Sequence, residues 1–322
     1  MTARNEADRL PATLAALGEA FPGAGVVVAD DGSRDETSQA ALQAGAALVR
    51  LPHRAGKGGA ATAAVERLLD EPAPHVARLR ISNPAKRGAL DHEILDTLAE
   101  TVKQLDARCL ILTGDGKMFS AGYDIGNLDE QQFAERTEKL VAHPFHDALE
   151  ALEDYEFPVI AALNGHAIGG GLELALTADI RVAADGIKLG MPPAKLGLIY
   201  SHTGLQKFLD VIGVAHTSEL FFTGRNIDAA RAAEIGLVNR VVAADTIDDV
   251  ALELATEIGA NAPISLRGNK RMIRALRKTA SELPSGLEQE LVELRESCFY
   301  TEDFREGVRA FGEKRAPEWR DG

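Results

Sequence analysis

Three consecutive glycine residues, Gly169 to Gly171, place the strongest limit on how this chain folds. They lie in the stretch GHAIGGGLELALTADI, residues 165–180, and a mostly apolar run containing Glu173 follows them. A glycine turn that opens a helix leaves unpaired backbone N–H groups, which a carbonyl oxygen can approach closely. Two interpretations stay open at this point: an oxyanion site in which desolvation raises the pKa of Glu173 toward that of an acid/base, or a tightly packed helix start that Glu173 caps.

A second turn of small residues precedes Tyr123 in the stretch GKMFSAGYDIGNL, residues 116–128, and follows the predicted buried strand CLILTG. This turn also exposes a backbone N–H group, so two separate segments can each donate one hydrogen bond to the same carbonyl oxygen. Such a two-donor oxyanion hole is what enolate chemistry on a thioester needs. The second stretch therefore favours the oxyanion interpretation.

Composition excludes several classes of protein. The 322 residues have 45% hydrophobic content, a mean hydropathy of −0.09 and a net charge of −14. This charge argues against nucleic acid or an anionic membrane as a partner, because both require a basic surface. No signal peptide or membrane-spanning stretch is evident, and Cys109 and Cys298 match no metal or redox spacing. We therefore expect a cytoplasmic protein without a bound metal.

The chain divides into two parts with different patterns, and we place the boundary at the proline-containing segment DEPAPH. Residues 1–75 alternate helices and strands in a βαβ pattern, which predicts a parallel sheet. Residues 76–322 mix strands and helices over longer distances and become largely helical after residue 200. The sequence thus predicts an α/β fold with domains 1–75 and 76–322.

The first part contains the stretches ARNEADRL, VVADDGSRDET and RAGKGGA. Together they resemble a truncated glycosyltransferase of family 2, in which Asp30 and Asp31 would contact the nucleobase and ribose. The alternative is a turn that these residues merely shape. The family's metal-binding Asp-x-Asp and its opening strand are not evident, so we expect a partial α/β nucleotide-sugar-binding-like segment that transfers no sugar.

The second part resembles the enoyl-CoA hydratase/isomerase, or crotonase, family over essentially its full length. The resemblance rests on ISNPAKRGAL, FSAGYDI, PVIAALNGHAIGGGLELALTADIRVAA, FTGRNIDAARAAEIGLVNRVV and FREGVRAFGEKRAPEW. It implies a spiral of ββα units with a C-terminal helical region, assembled as a homotrimer or a dimer of trimers. DEPAPH stands where the family's first strand belongs, so this strand is expected to be missing.

The resemblance also implies the residues of the site. The oxyanion donors are the N–H groups of Tyr123 and Gly170. The segments that line the coenzyme A and acyl site comprise Arg87, Ala121, Gly122, Asp124, Ile125, Gly169, Pro193 and Lys314. An acyl-CoA is the expected small-molecule partner. No separate cofactor is expected, because coenzyme A enters as part of the substrate.

The reaction depends on three positions. Glu173 matches the first catalytic glutamate of the hydratases, but Pro193 stands where the second belongs. Tyr200 matches a tyrosine of the methylmalonyl-CoA decarboxylase branch that holds the leaving carboxylate; the alternative is an aromatic that only lines the pocket. The preferred reaction is decarboxylation of a short 2-carboxyacyl-CoA, and the alternative is enoyl-CoA hydration or isomerisation using Glu173. A non-catalytic CoA-binding scaffold and a sugar transferase remain as remote alternatives.

Other polar residues receive structural interpretations. His166 and His202 flank the predicted site, and a single histidine of this kind is more often packed or hydrogen-bonded than catalytic. The acidic run EDYE at residues 153–156 is interpreted as a solvated face.

Overall fold

The computed structural model describes residues 2–3, 5–20, 26–50, 75–123, 144–280, 283–284 and 286–319. The chain forms two compact units. The first comprises Met1–Pro74 with Thr97–Asp106, and the second comprises His75–Asp96 with Ala107–Gly322. Within the described residues, no helix combines the length and the apolar composition that crossing a membrane requires.

The first unit contains a three-stranded parallel sheet. Its elements are β1 Thr2–Ala3, α1 Leu10–Ala20, β2 Val27–Asp30, α2 Thr37–Gln43 and β3 Ala47–Arg50, and the strand order is β1-β2-β3. The predicted βαβ pattern is confirmed for β2, α2 and β3. The expectation that no opening strand exists is wrong, because β1 pairs with β2 and Ala3 O accepts the Asp31 N–H at 2.9 Å. The RAGKGGA stretch lies outside the described residues.

Asp30 lies at the end of β2 and is fully buried. Its Oδ1 accepts the Ser33 N–H at 2.8 Å, and its Oδ2 accepts the Ser38 hydroxyl. These bonds hold the turn after β2 in the way that the turn-shaping interpretation requires. A nucleotide-binding role for Asp30 and Asp31 stays a prediction.

The second unit contains two sheets. Its strands are β4 Ala77–Ile81, β5 Leu110–Gly114, β6 Met118–Ser120, β7 Val159–Leu163, β8 His166–Ile168, β9 Ile180–Ala184, β10 Lys188–Gly190, β11 Ile227–Asp228 and β12 Arg240–Val242. The larger sheet is parallel, with the order β12-β9-β7-β5-β4. The smaller has the order β11-β10-β8-β6, and β11 is its antiparallel edge strand. Every residue of β5 and β7 is buried, as expected for central strands of a covered parallel sheet.

Helices cover these sheets and dominate the C-terminal half, as the sequence predicted. They are α3 His92–Gln104 (Thr97 onward belongs to the first unit), α4 His146–Asp154, α5 Gly170–Leu176, α6 His202–Thr223, α7 Ala229–Glu234, α8 Ile247–Gly259, α9 Pro263–Ala280, α10 Leu287–Cys298 and α11 Glu302–Glu313. In the part of the chain that the structure describes, 3₁₀ turns span Pro84–Lys86 and Pro193–Leu196.

One expectation about the larger sheet stays a prediction. Among the residues that the structure describes, β4 pairs with β5 and forms the edge of this sheet. Residues 51–74, which include most of DEPAPH, lie outside the described residues. Whether the family's first strand is missing is therefore not tested.

The smaller sheet brings the two glycine-containing turns together. Strands β6 and β8 are parallel neighbours, with Met118 opposite His166 and Ser120 opposite Ala167. Parallel strands end at the same edge of a sheet, where open α/β sheets bind their ligands. The residues that follow β6 and those that follow β8 therefore leave the sheet side by side.

Candidate active site

The turn after β6 lies directly against the turn after β8. Gly122 has a φ of +85°, and a Cβ built on it would stand 2.8 Å from Ile168 O and 3.0 Å from Gly170 N. Only glycine tolerates both this backbone conformation and this close approach. Gly122 is therefore the residue that allows the two segments to meet.

Two backbone donors emerge where these turns meet. Gly169, with a φ of +56°, precedes the first residue of α5, so the Gly170 N–H is one of the unpaired groups of a helix start. Within the described part of the chain, neither this N–H nor that of Tyr123 has a hydrogen-bond acceptor. The backbone thus offers two free donors from two segments, the arrangement that the sequence predicted; their catalytic role stays a prediction.

The Tyr123 ring packs against the backbone that carries one of these donors. A Cβ on Gly170 would stand 3.1 Å from Tyr123 Cε2 and 3.3 Å from Cδ2, so the ring rests on the backbone of Gly170. The same ring makes an edge contact with Phe145 at a centroid distance of 4.6 Å. A side chain at Gly170 would displace this ring.

Ser120 holds the first turn, and sequence reasoning missed it. Its hydroxyl donates to Gly88 O at 2.8 Å and accepts the Gly122 N–H at 3.1 Å. A Cβ on Gly171 would stand 2.5 Å from Ser120 O, so α5 also packs against this residue. The serine within FSAGYDI was a signal, but its bonding partner lies 32 residues away in the sequence.

Glu173 is buried in α5, with 3% of its surface exposed. Desolvation raises the pKa of its carboxyl, and the hydrogen bond from Tyr200 opposes this rise. The Tyr200 hydroxyl donates to Glu173 Oε2 at 2.5 Å. The predicted rise in the Glu173 pKa is confirmed in direction. The structure gives the Tyr200 hydroxyl a hydrogen-bond partner, and its role in the reaction stays a prediction.

The first turn of α6 packs closely on this pair. A Cβ on Gly204 would stand 2.5 Å from Tyr200 Cε1 and 3.0 Å from Glu173 Oε1. The Tyr200 ring also contacts Phe221 edge-on, at a centroid distance of 5.4 Å. Burial, followed by the charge of Glu173, raises the pKa of the Tyr200 phenol well above its usual value. Tyr200 is therefore a neutral hydroxyl donor at physiological pH.

Three charged side chains act electrostatically on Glu173, and sequence reasoning missed all of them. Lys207 and Arg295 lower the pKa of Glu173, whereas Glu153 raises it. Lys207 forms an ion pair with Glu153. The interpretation of EDYE as a solvated face is therefore wrong for Glu153, which is half-buried, and for Tyr155, which is buried. Because these residues come from α4, α6 and α10, no local sequence pattern indicates their proximity.

The residues predicted to line the coenzyme A and acyl site differ in their burial. Ala121 is half-buried in the turn after β6, and Pro193 is buried at the start of its 3₁₀ turn. Arg87 and Lys314 are exposed and adopt left-handed backbone conformations, with φ values of +55° and +56°. Their roles in coenzyme A binding stay predictions. Asp124 and Ile125 lie outside the described residues.

The two flanking histidines have structural contacts. His166 Nδ1 accepts the Lys188 N–H at 2.9 Å, which joins β8 to β10. His202 Nε2 lies 3.8 Å from Glu288 Oε1. Both agree with the hydrogen-bonded or packed interpretation.

Burial of Glu173 leads to a prediction about stability. Because its native pKa is raised above the reference value of 4.5, the native state retains a proton that the unfolded chain releases. The stability that this proton confers is complete below that reference value and is lost as pH rises through the native pKa. We expect Glu173→Gln, which still accepts the Tyr200 hydroxyl, to unfold at a higher temperature than the wild type at pH 8, with a smaller difference at pH 5.

Thermal unfolding followed by circular dichroism across this pH range measures the difference. The exposed Glu296→Gln in α10 controls for the loss of one charge. A Glu173→Gln variant that is less stable than the wild type at pH 8 would contradict the prediction.

Comparisons with known proteins match both parts of the chain. The profile of the enoyl-CoA hydratase/isomerase family matches residues 71–322, and that of glycosyl transferase family 2 matches residues 1–71. Both resemblances predicted from sequence are confirmed.

The similar proteins include both hydratases and a decarboxylase. A Mycobacterium leprae protein named "Probable enoyl-CoA hydratase" is 36% identical over 248 residues, which cover 76% of this chain and 94% of that protein. The short-chain-enoyl-CoA hydratase of Clostridium acetobutylicum is 35% identical over 249 residues, covering 76% and 93%. A structure of methylmalonyl-CoA decarboxylase complexed with 2S-carboxypropyl CoA superposes with a TM-score of 0.72 at 28% identity, covering 78% of this chain and 97% of that one.

Proposed function

This chain belongs to the enoyl-CoA hydratase/isomerase family, and from that premise we propose that it decarboxylates a short 2-carboxyacyl-CoA such as methylmalonyl-CoA. The observation that carries the proposal is the pairing of one buried carboxyl group, Glu173, with the Tyr200 hydroxyl. Pro193, where the hydratases have their second glutamate, has no proton to donate. The similarity to methylmalonyl-CoA decarboxylase structures supports the same choice.

The proposed reaction uses the two backbone donors first. The thioester oxygen accepts the N–H groups of Tyr123 and Gly170, which stabilise negative charge there. The bond between C2 and the carboxylate breaks, its electron pair forms the enolate, and carbon dioxide leaves. A proton taken up from solvent then bonds to C2 and gives the product thioester.

Tyr200 takes part by orienting the departing carboxylate. A phenol has one O–H hydrogen, so Tyr200 donates either to Glu173 or to the substrate. A protonated Glu173 accepts this hydrogen bond more weakly than an ionised one does, so the Tyr200 hydroxyl then turns more readily to the substrate carboxylate. The raised pKa of Glu173 extends the pH range over which this arrangement exists.

Hydration or isomerisation of an enoyl-CoA is the second candidate. The hydratase names of the relatives support it, and so does Glu153, a second carboxylate that acts electrostatically on Glu173. The Glu153 carboxylate is, however, already paired with Lys207. Isomerisation requires only Glu173 as a base.

One assay separates the two candidates. We expect release of carbon dioxide from methylmalonyl-CoA, with hydration of crotonyl-CoA slower by orders of magnitude. Product formation from each substrate, measured at matched concentrations by chromatography, tests this. If crotonyl-CoA is the better substrate, the decarboxylase proposal is wrong and the second candidate takes its place.

The N-terminal segment is proposed to contribute nothing to this reaction. Tyr123, Gly170, Glu173 and Tyr200 all belong to the second unit. We expect deletion of residues 1–74 to leave turnover of acyl-CoA largely intact. The deletion retains His75, since a Cβ on Gly259 would stand 3.1 Å from His75 Cβ and the two residues pack together.

Steady-state kinetics and thermal unfolding of the shortened chain, beside the full chain, measure this. A shortened chain that folds but is inactive would refute the expectation. Hydrolysis of a UDP-sugar by the full chain would contradict the separate expectation that residues 1–75 transfer no sugar.

The remaining expectations are proposals of the same kind. Arg87 and Lys314 are proposed to approach the nucleotide end of coenzyme A, and no cofactor beyond the substrate is proposed. Assembly as a homotrimer or a dimer of trimers is also proposed. Sedimentation of the full chain measures this assembly.

A further inference from the structure

One face of α10 lies along the chain segment that contains Tyr200. Glu288, Leu291, Arg295 and Cys298 follow one another at spacings of three, four and three residues, which places them on the same face of the helix. This face includes the half-buried residues 291 and 295 and the buried residue 298. Arg295 therefore lies on the partly buried face of α10.

Both ends of this face contact the same short segment. Glu288 Oε1 lies 3.8 Å from His202 Nε2, and Cys298 Sγ accepts the Ile199 N–H at 3.3 Å. Tyr200 falls between these two contact points in the sequence. Arg295, which lies between Glu288 and Cys298 on α10, is thus positioned opposite the segment that carries the Tyr200 hydroxyl.

The guanidinium group of Arg295 has no carboxylate partner within the described part of the chain. Its Cζ lies 5.6 Å from the centroid of the Phe299 ring, which supports the side chain from one side. The other cation that acts on Glu173, Lys207, is already paired with Glu153. Arg295 also acts electrostatically on Tyr123 and Tyr200. Within the described residues, a guanidinium group without a carboxylate partner therefore acts electrostatically on Glu173, Tyr123 and Tyr200.

We propose that Arg295 recognises a carboxylate on the acyl group of the substrate and thereby selects carboxylated over neutral acyl chains. A guanidinium presents its donors in a planar fork that matches a carboxylate, and such charge-assisted bonds are the stronger kind. Without this cation, Glu173 in its ionised form would repel an anionic acyl group. This inference rests on the proposed function for the location of the thioester and adds the residue that selects the substrate class.

The test uses two unreactive thioethers of coenzyme A, 2-carboxypropyl-CoA and propyl-CoA, which differ only in the carboxylate. Calorimetric titration of the full chain measures the dissociation constant of each. We expect Arg295→Met to weaken binding of 2-carboxypropyl-CoA by about 10- to 100-fold, the scale of a lost hydrogen bond to a charged group. Binding of propyl-CoA should remain close to that of the wild type.

Two further variants sharpen the result. Arg295→Lys keeps the positive charge but loses the planar pair of donors, so its dissociation constant for 2-carboxypropyl-CoA should lie between those of the wild type and Arg295→Met. This variant also tests the proposal if Arg295→Met fails to fold. Arg305→Met in α11 is the matched control, because Arg305 is exposed and pairs with Glu302. This control should bind both thioethers as the wild type does.

The outcomes separate this inference from the proposed reaction. Equal weakening of both thioethers by Arg295→Met, or of neither, overturns the role of Arg295 even if methylmalonyl-CoA is decarboxylated. Selective weakening of the carboxylated thioether supports it even if the reaction proves to be hydration of a carboxylated enoyl-CoA.

Discussion

Gly170→Val is expected to lower turnover of the acyl-CoA substrate by at least two orders of magnitude. The reason is geometric. A Cβ at this position would meet three atoms of the Tyr123 ring at 3.1–3.3 Å, so the ring must move. Tyr123 supplies the other proposed donor, and one side chain therefore disturbs both. Loss of one oxyanion donor costs about 3 kcal/mol at the transition state, which corresponds to a factor of roughly a hundred.

Steady-state kinetics at saturating substrate measures the loss as a fall in kcat. Gly268→Val is a suitable control, because a Cβ at that helical position meets nothing within 4 Å. A double variant with Tyr123→Ala relieves the clash with the ring and shows how much of the loss comes from ring displacement. Near-normal turnover of a correctly folded Gly170→Val would remove Gly170 from the site.

Tyr200→Phe is expected to depress decarboxylation by about tenfold to a hundredfold, the scale of one lost charge-assisted hydrogen bond. The substitution keeps the ring that packs on Phe221 and removes only the hydroxyl. Because the nucleotide end of the substrate is proposed to bind elsewhere, affinity for coenzyme A should change little. The expected effect is therefore on kcat, with a small effect on KM.

The pH profile gives this prediction a second readout. Ionisation of Glu173 engages the Tyr200 hydroxyl, so wild-type decarboxylation should fall as pH rises through the raised pKa of Glu173. Tyr200→Phe should lose this decline, because no hydroxyl remains to be engaged. Isomerisation with Glu173 as base would show the opposite dependence and rise with pH. A profile that rises with pH, together with turnover that Tyr200→Phe leaves unchanged, would contradict the decarboxylase proposal.

The sequence indicated the two glycine turns correctly. Gly122 and Gly169 adopt positive φ values, and Gly122 and Gly171 leave no room for a Cβ. A positive φ or a lack of space for a Cβ restricts a single position to glycine, so the sequence itself shows it. The same holds for Glu173, whose apolar neighbours predicted its burial and the direction of its pKa change.

The sequence was less informative where a side chain's role depends on a distant partner. Tyr200 was singled out, yet its bond to Glu173 spans 27 residues and changes what the hydroxyl is free to do. Glu153 belongs to an acidic run that is typical of a solvated face. Its ion pair with Lys207 depends on how α4 packs beside α6, which the sequence does not indicate. Charged residues on helices resemble one another in sequence, whether they face solvent or a site.

The sequence by itself thus determined the two glycine turns, the buried carboxyl group and the α/β and helical segments that carry them. Only the tertiary structure decided that Tyr200 donates to Glu173, that Ser120 ties the first turn to Gly88, and that Arg295 acts electrostatically on Glu173. The physical reason is the range of the interactions. Backbone conformation is limited by the residue itself, whereas hydrogen bonds and charges act through space between segments whose separation in sequence carries no information about their distance.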